Sequence, residues 1–490
     1  MKLKLIVTIL LLCPIALPGQ GTPESVAASN ELLMQKLEAM ERRITQLEGE
    51  VNALRAENER LQEKPPAVAT AAAHAALPVG ASPSAAESHP PTDGAPTALT
   101  PATASTAVSA AKVPVEHAPA NVPEGYFPVT KGVYANISLI AQADVIVDTN
   151  NANSPGSFVT SSLPVKGQPN YGSGLNSDVS FRQSTLAFDL LFETGDKPLT
   201  FFYANNFFPN GQPANGYGYY LLGFYAEWNG LLIGYDWTAL MDAGVDPNTL
   251  DYEGPNSLPE KYNAQVRYTR TLLEDDFANL IGKISLEQAS PSISGVAGGM
   301  DVFQQAPDGV LALRAVGDDW HVQAGVVLRS LVAQTPSGDT GALGWGFSLS
   351  GSWQFTEKDE VMLWGNIGDG FADYIQDAYG LGLDGYINAS NQLETIRVYG
   401  VGAAYQHNWT RHLSSTFSFG YVNISDEGLG PYVGATNMRE TLYSSGNIVW
   451  QATPFLVVGA ELLYGRKLAV NGESGDDFRV QSTVRYTFNP

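Results

Sequence analysis

The chain has 490 residues and a formal net charge of −23, although only 16% of its residues are charged. A negative charge of this size argues against nucleic acid as a partner. Aromatic residues make up 10% of the chain and glycine accounts for 49 residues, which is typical of a turn-rich all-β protein or of a β-barrel with an apolar outer face. No segment after the N-terminus has eighteen consecutive apolar residues, so helical membrane spans are not expected.

Residues 1–21 have the pattern of a secretory signal peptide. Lys2 and Lys4 precede an apolar run at 5–17, and small residues follow at 19–21. The only cysteine, Cys13, lies inside that run. The exported protein is therefore predicted to contain neither disulfides nor thiol ligands.

Residues 29–63 carry a heptad repeat, which predicts an α-helical coiled coil and hence an oligomer. Positions a and d would form its core, and charge pairs of opposite sign at its flanks favour parallel strands. The predicted core residues are Leu33, Leu37, Met40, Ile44, Leu47, Val51, Leu54, Asn58 and Leu61. We expect this coil to lie in the periplasm.

Residues 64–125 are rich in Ala, Pro, Ser and Thr and hold few large apolar side chains. Such a segment cannot bury enough surface to fold, so it is predicted to be a disordered, semi-extended tether.

Residues 126–490 fall into segments of about ten residues in which apolar and small or polar side chains alternate. In the segment at 344–355, Trp345, Phe347 and Leu349 share one face, while Ser348 and Ser350 share the other. One apolar face and one polar face predict a transmembrane β-barrel with a wet interior, because the polar set would make a poor dry core. Sixteen segments are predicted to begin near 133, 180, 198, 217, 230, 261, 276, 309, 319, 342, 359, 393, 411, 438, 455 and 476.

The predicted connections alternate between short turns and long loops, as in outer-membrane barrels. Long loops are predicted at 149–178, 209–216, 239–260, 289–308, 333–341, 372–392, 426–437 and 469–475. The fold class is thus all-β, a sixteen-stranded antiparallel transmembrane barrel behind an N-terminal coiled coil. Sixteen strands leave an aqueous lumen.

The loop at 239–260 is rich in acids and contains no Lys or Arg. Loops this long are usually functional, and this one follows the fifth strand, where general porins fold a loop inward. It is predicted to narrow the channel. Four of its acids, Asp242, Asp246, Asp251 and Glu253, are predicted to face the basic wall, and Glu260 ends the stretch.

Strand parity predicts six basic side chains that point into the lumen. They are Arg267, Lys283, Arg314, Arg329, Arg479 and Arg485. Basic strands that face an acidic loop would set up a transverse field that orients polar solutes. The alternative is that these groups pair with one another, or with Glu287 and Glu461, and stiffen the loop.

Three stretches in this region resemble the DcaP-like trimeric outer-membrane porins. They are "EWNGLLIGYDWTALMD", "PNTLDYEGPNS" and "AQVRYTR", with "AELLYGRK" near the C-terminus as a further likeness. The resemblance implies a homotrimer that passes small, mostly anionic solutes such as carboxylates. One departure is that the family carries basic residues on the strand before "EWNG", whereas residues 198–260 here contain none.

These observations predict an outer-membrane porin of a Gram-negative envelope that transports small hydrophilic solutes passively and favours anionic ones. The alternatives are a channel for neutral solutes such as sugars, a weakly cation-selective porin, and an outer-membrane enzyme or adhesin. No enzyme activity and no nucleotide, metal or redox cofactor is indicated. The expected partners are two further copies of the chain, outer-membrane lipid, solutes and, through the coil, peptidoglycan.

Overall fold

A computed structural model describes residues 122–123, 125–150, 156–195, 197–208, 216–298, 300–425 and 429–488. The predicted signal peptide, the coiled coil and almost all of the tether lie outside these residues, so those assignments stay predictions.

The regular structure of the described residues is almost entirely β-strand, because period-two alternation places one face of each segment outward and the other inward. The strands are β1 (Phe127–Thr130), β2 (Val133–Asp148), β3 (Asn176–Ser180), β4 (Thr185–Phe192), β5 (Leu199–Asn206), β6 (Tyr220–Trp228), β7 (Leu231–Trp237), β8 (Tyr262–Leu273), β9 (Asn279–Glu287), β10 (Ile293–Ser294), β11 (Val302–Phe303), β12 (Asp308–Val316), β13 (Trp320–Thr335), β14 (Gly338–Gln354), β15 (Asp359–Asp369), β16 (Gly385–Ile387), β17 (Leu393–Thr395), β18 (Arg397–Thr410), β19 (Leu413–Ile424), β20 (Met438–Thr453), β21 (Leu456–Ala469) and β22 (Ser474–Phe488).

Four 3₁₀ turns lie in the connections, at Thr160–Ser162, Ala243–Val245, Ala372–Tyr374 and Gln376–Ala378. Within the described part of the chain, no helix is long and apolar enough to cross a membrane.

The wall is a closed antiparallel barrel. Strand β2 pairs with β22 on one side, with Leu139 opposite Phe488, and with β3 and β4 on the other side. Because β3 and β4 pair with successive halves of β2, they form one interrupted wall strand. The described residues thus form sixteen wall strands, which confirms the predicted fold and count.

Short turns and long connections alternate between the two rims, with two exceptions. The predicted loop at 333–341 is a tight hairpin, since β13 ends at Thr335 and β14 begins at Gly338. In this turn the Thr335 hydroxyl donates to the Gly338 carbonyl at 2.7 Å and accepts from the Ser337 N–H group at 3.2 Å. The predicted loop at 469–475 shrinks in the same way, to 470–473. The polar composition of both stretches predicts loops. In the structure these polar residues instead continue the inner face of the strands.

The outer face of the barrel is apolar. In β9, Ile284 and Leu286 are 58% and 57% exposed, whereas the neighbouring Ser285 and Glu287 are buried. Exposed aromatic residues lie close to the short turns: Trp228, Phe277, Trp353, Trp409, Trp450 and Phe488. An apolar band with an aromatic rim is typical of a barrel surrounded by lipid.

The inner face is rich in glycine where long loops fold into the lumen. A Cβ atom on Gly346 would lie 2.2 Å from the Phe371 ring, and one on Gly420 would lie 2.3 Å from Asn256 Oδ1. These loops bring apolar residues with them. One buried cluster inside the barrel joins Leu240 and Phe371 to Val327 of the wall. The interior is therefore wet only in part, because loops supply the dry core that the wall lacks.

The glycine at 346 provides a test of this packing. We expect Gly346→Val to displace Phe371 and to destabilise the barrel by about 1–3 kcal/mol, as overpacking does. Thermal unfolding of the detergent-solubilised protein and protease cleavage within 370–396 would measure the effect. The control is Gly365→Val, whose added Cβ would make only ordinary contacts, 3.9 Å from Val401 and 4.0 Å from the Gly400 carbonyl oxygen. Equal melting and cleavage of both variants would contradict the packing argument.

Candidate functional site

The connection between β7 and β8, residues 238–261, crosses the inside of the barrel; we call it the constriction loop. It reaches strands far around the wall, because Asn256 Nδ2 donates to Thr441 Oγ1 of β20 at 3.0 Å. On the way it contacts β12–β14 through Asp242 and β21 through Leu250. The loop thus divides the lumen.

Asp242 forms the first anchor of the loop. Its carboxylate accepts hydrogen bonds from Ser350 Oγ at 2.7 Å and lies 2.9 Å from His321 Nε2, and it pairs with Arg314. Burial alone would raise the pKa of Asp242, but His321 and Arg314 hold this pKa below its usual range. A side chain on Gly244 would collide with the His321 ring at 2.6 Å, so glycine lets the loop close on this cluster.

The same cluster contains a hydroxyl, imidazole and carboxylate in a row. Ser352 Oγ lies 3.1 Å from His321 Nδ1, and His321 Nε2 contacts Asp242. Serine hydrolases use such a chain. Here His321 and Ser352 are direct cross-strand neighbours, and Arg314 already neutralises Asp242. Strand pairing and loop anchoring therefore account for the arrangement. No local motif predicts it, since Asp242 lies 79 positions before His321 in the chain.

The second anchor lies on the opposite wall. Glu461 of β21 accepts the N–H groups of Leu250 and Asp251 at 2.6 and 2.8 Å. The Asp251 carboxylate in turn accepts the Phe158 N–H at 2.9 Å, which ties the loop to the 149–175 connection. Burial raises the pKa of Asp251 to about 7 against the opposing effect of Arg479, whose Nη1 atom lies 3.9 Å away.

The end of the loop is held by β15, β18 and the 370–396 connection. Trp364 Nε1 donates to Ser257 Oγ at 2.8 Å, and Ser257 Oγ donates to the Val401 carbonyl at 2.9 Å. Lys261 Nζ pairs with Asp373 Oδ2 at 2.9 Å. The loop is therefore fixed along its whole length.

Three of the six predicted basic residues form a strip on β8, β9 and β12. Arg267 pairs with Asp236 at 2.7 Å, and Lys283 Nζ donates to Gln323 Oε1 at 3.1 Å. Arg314 pairs with Asp242. All three side chains are only partly buried, and two of the three charges are offset by a carboxylate.

The other three predicted basic residues lie in different environments. Arg329 is fully buried between Asp308 and Asp384, at 3.0 and 2.8 Å. Arg479 is fully buried and pairs with Asp148 at 2.6 Å. Arg485 donates to Gln142 Oε1 at 2.6 Å and faces the open cavity.

A cavity of about 760 Å³ lies beside the constriction loop and reaches towards the short-turn rim. Among the described residues that line it, seven are acidic, while Arg485 and His321 are the only basic ones. The acids are Asp246, Asp251, Glu253, Glu260, Asp318, Asp319 and Glu360. Three of them, Asp246, Asp251 and Glu253, are among the four predicted loop acids.

Burial in the narrow lumen raises the pKa of Asp246 to about 7 and that of Glu253 to about 8. For Glu253, the charges of Asp251 and Asp377 add to the effect. Both side chains are only partly buried beside the cavity, so water limits the shift of their pKa values. In the described part of the chain, no Lys or Arg forms an ion pair with Asp246, Glu253 or Glu260.

Sequence reasoning missed Glu260, Asp318, Asp319 and Glu360 as lining residues. Glu260 ends the acidic stretch of the loop, which was an available signal. Asp318 and Asp319 fall in a short turn between β12 and β13, and nothing in the sequence shows that this turn borders the open part of the lumen.

The Asp242 cluster gives a testable consequence. Asp242→Asn would leave Arg314 without its counter-charge and loosen the loop, so we expect selectivity to move towards anions. A unit charge about 4 Å from a passing ion contributes about 1 kcal/mol in a water-like medium, which corresponds to roughly a fivefold change in the permeability ratio. Reversal potentials in planar bilayers would measure it. Ser350→Ala, which removes one hydrogen bond but no charge, is the control. An unchanged reversal potential in Asp242→Asn would refute this role of Asp242.

No protein-family model and no curated protein sequence matches the chain. Among solved structures, the outer membrane channel DcaP of Acinetobacter baumannii is similar, with a TM-score of 0.63 at 17% sequence identity over 74% of this chain and 99% of that chain. OmpT of Vibrio cholerae has 10% identity over 73% and 99% of the two chains, with a TM-score of 0.44. OmpF of Salmonella typhi with daunomycin has 8% identity over 73% and 98%, also at 0.44. The chain thus has the fold of the DcaP outer membrane channel, as the sequence resemblance predicted.

Proposed function

We propose that the protein is an outer-membrane diffusion porin that passes small hydrophilic solutes and prefers cations. The observation that carries this proposal is the excess of carboxylates on the cavity wall beside the constriction loop. When charge of one sign lines a narrow channel with low-dielectric walls, the electric field is concentrated inside the channel. This field determines whether the channel prefers cations or anions. The exposed apolar band and its aromatic rim support a location in a lipid bilayer.

The anion preference implied by the sequence resemblance is the second candidate. It rests on the strip of Arg267, Lys283 and Arg314. Within this strip, Asp236 and Asp242 offset the two arginines, and Lys283 interacts with a neutral amide. The strip therefore presents one net positive charge, against three loop carboxylates that have no basic partner among the described residues. Above the raised pKa values of Asp246 and Glu253, where both side chains are ionised, this balance favours cations over carboxylates.

The charge balance can be measured directly. With purified protein in a planar bilayer under a KCl gradient at pH 9, where Asp246 and Glu253 are ionised, we expect a reversal potential of the sign that indicates K⁺ preference. The double variant Glu253→Gln/Glu260→Gln should reduce this preference, by roughly fivefold in the permeability ratio for each charge about 4 Å from the ion path. Asp339→Asn, at an exposed hairpin tip outside the cavity lining, is the control for loss of an acidic charge elsewhere on the barrel. Anion preference in the unmodified protein would restore the carboxylate channel instead.

The raised pKa values predict a pH dependence. Protonation neutralises Asp246 and Glu253, so cation preference should be weak at pH 5 and grow as the pH rises through about 7 for Asp246 and about 8 for Glu253. Reversal potentials at pH 5, 7 and 9 would show it. In Asp246→Asn/Glu253→Gln the dependence should flatten. A preference that is constant from pH 5 to 9 in the unmodified protein would exclude these groups as the titrating charges.

We further propose that the porin is a homotrimer in the outer membrane and that residues 29–63 form a periplasmic coiled coil that holds it together or touches peptidoglycan. The heptad repeat supports this, because its apolar seam needs partner strands. Deleting residues 29–63 should convert heat-resistant trimers on denaturing gels into monomers, whereas deleting the same length of tether should not. Trimers that survive loss of the heptads would show that the barrels assemble alone.

A further inference from the structure

Resting on the proposed cation-preferring porin, we propose that the constriction recognises organic cations that carry an aromatic or alkylated ammonium group. The cavity wall on the side of the long loops combines aromatic rings with carboxylates that have no basic partner among the described residues. This combination distinguishes an organic cation from a small hydrated metal ion.

The rings come from four separate elements. Tyr220 lies on β6, Tyr252 on the constriction loop, Tyr262 on β8 and Tyr379 on the 370–396 connection, and all four line the cavity with Trp237. Tyr262 is central, since its ring centroid lies 5.4 Å from that of Trp237 and 6.4 Å from that of Tyr220. Such edge-on and tilted contacts build a continuous aromatic surface.

Part of this aromatic surface is covered by packing against other rings, and part is exposed to the lumen. Tyr252 stacks on Phe208 with ring centroids 4.0 Å apart, so one of its faces is covered. Tyr379, in contrast, is 55% exposed although it lines the lumen. A ring that is both exposed and inside a channel is available to a passing solute.

The carboxylates stand in the same wall as the rings. Gln376 Nε2 donates to the Glu253 carbonyl and, at 3.0 Å, to Glu260 Oε2, which holds the two acidic residues side by side. Both acidic residues line the cavity together with Tyr220. A cation held against the rings would therefore lie next to negative charge.

A buried amide helps to position one of the rings. Asn206 is 1% exposed and lines the same cavity. Its Nδ2 group lies close enough to the Tyr252 hydroxyl to interact with it. Because buried donors usually have partners, this contact is expected to hold the Tyr252 ring in the cavity wall.

Physical chemistry then selects the solute class. The faces of Tyr and Trp rings attract cations, and they do so more effectively when the cation is weakly hydrated, as alkylated ammonium groups are. An aromatic group on the same solute would also stack on the wall. A neutral sugar would gain from the rings but not from the carboxylates, and an organic anion would be repelled by them.

Current block in planar bilayers tests the proposal with the full-length protein. The probes are phenyltrimethylammonium, tetramethylammonium, benzenesulfonate and maltose, added to a KCl solution. We expect phenyltrimethylammonium to block at the lowest concentration, about two- to tenfold below tetramethylammonium, with Tyr379→Leu removing this advantage and Tyr379→Phe keeping it. Tyr171→Leu, an exposed tyrosine outside the cavity lining, is the control.

The outcomes separate the two proposals. A reversal potential that shows anion preference would overturn the proposed porin selectivity itself. Two results in a cation-selective channel would overturn only the aromatic recognition. Either both ammonium ions block at the same concentration, or phenyltrimethylammonium blocks Tyr379→Leu as well as it blocks the unmodified protein. Block by maltose and not by phenyltrimethylammonium would assign the ring surface to neutral sugars and also overturn it.

Discussion

Loop backbone that enters a barrel leaves bulk water, so its N–H groups need acceptors there. In this protein carboxylates supply them. Glu287 accepts the Ala239 N–H at 2.8 Å, and Glu461 accepts two N–H groups of the constriction loop. Asp377 and Asp384 do the same within and between the other inward-folded connections. The course of every inward loop depends on these side chains, because a loop without them would leave unpaired groups in a dry interior.

This requirement divides the acidic residues into two sets. Acidic side chains outnumber basic ones by about two to one in residues 126–490. Those that accept backbone N–H groups, such as Glu461, or that face a buried arginine, such as Asp308 beside Arg329, contribute little field to the open lumen. The carboxylates of Asp246, Glu253 and Glu260 face the cavity. The sign of the charge that lines the open lumen therefore depends on which carboxylates are not used to anchor loops. The net charge of the chain alone does not determine it.

The sequence predicted what depends on short-range pattern. Alternation of apolar and polar residues located all sixteen wall strands, because lipid outside and polar groups inside impose a period of two along every strand. Most predicted strand starts lie within three residues of the observed ones. The inward course of the loop after the fifth strand was also predicted. The pattern failed where the two faces of a strand are both polar, as in the hairpin around Pro336, and where elements such as β10 and β16 are only two or three residues long.

Most of the site depends on contacts that no local pattern encodes. The pairing of Asp242 with Arg314 joins residues 72 positions apart, and Glu461 meets Leu250 across 211 positions. Parity showed that Arg329 points inward, but only the folded 370–396 connection buries it. The apolar Phe371 and Tyr374 in that connection were an available sign of inward folding, since exposed loops seldom carry such residues.

A loop fixed at several points behaves differently from a lid. Because Asp242, Asp251 and Ser257 are each held by groups of the wall or of neighbouring loops, the constriction is already in place before a solute arrives. A preorganised wall binds without an ordering cost, which favours discrimination, but conduction also requires that binding be weak enough for release. In the proposed cation-preferring porin, the further carboxylates of Asp318 and Asp319 near the short-turn rim would meet that need, since a cation could pass from one partial site to the next.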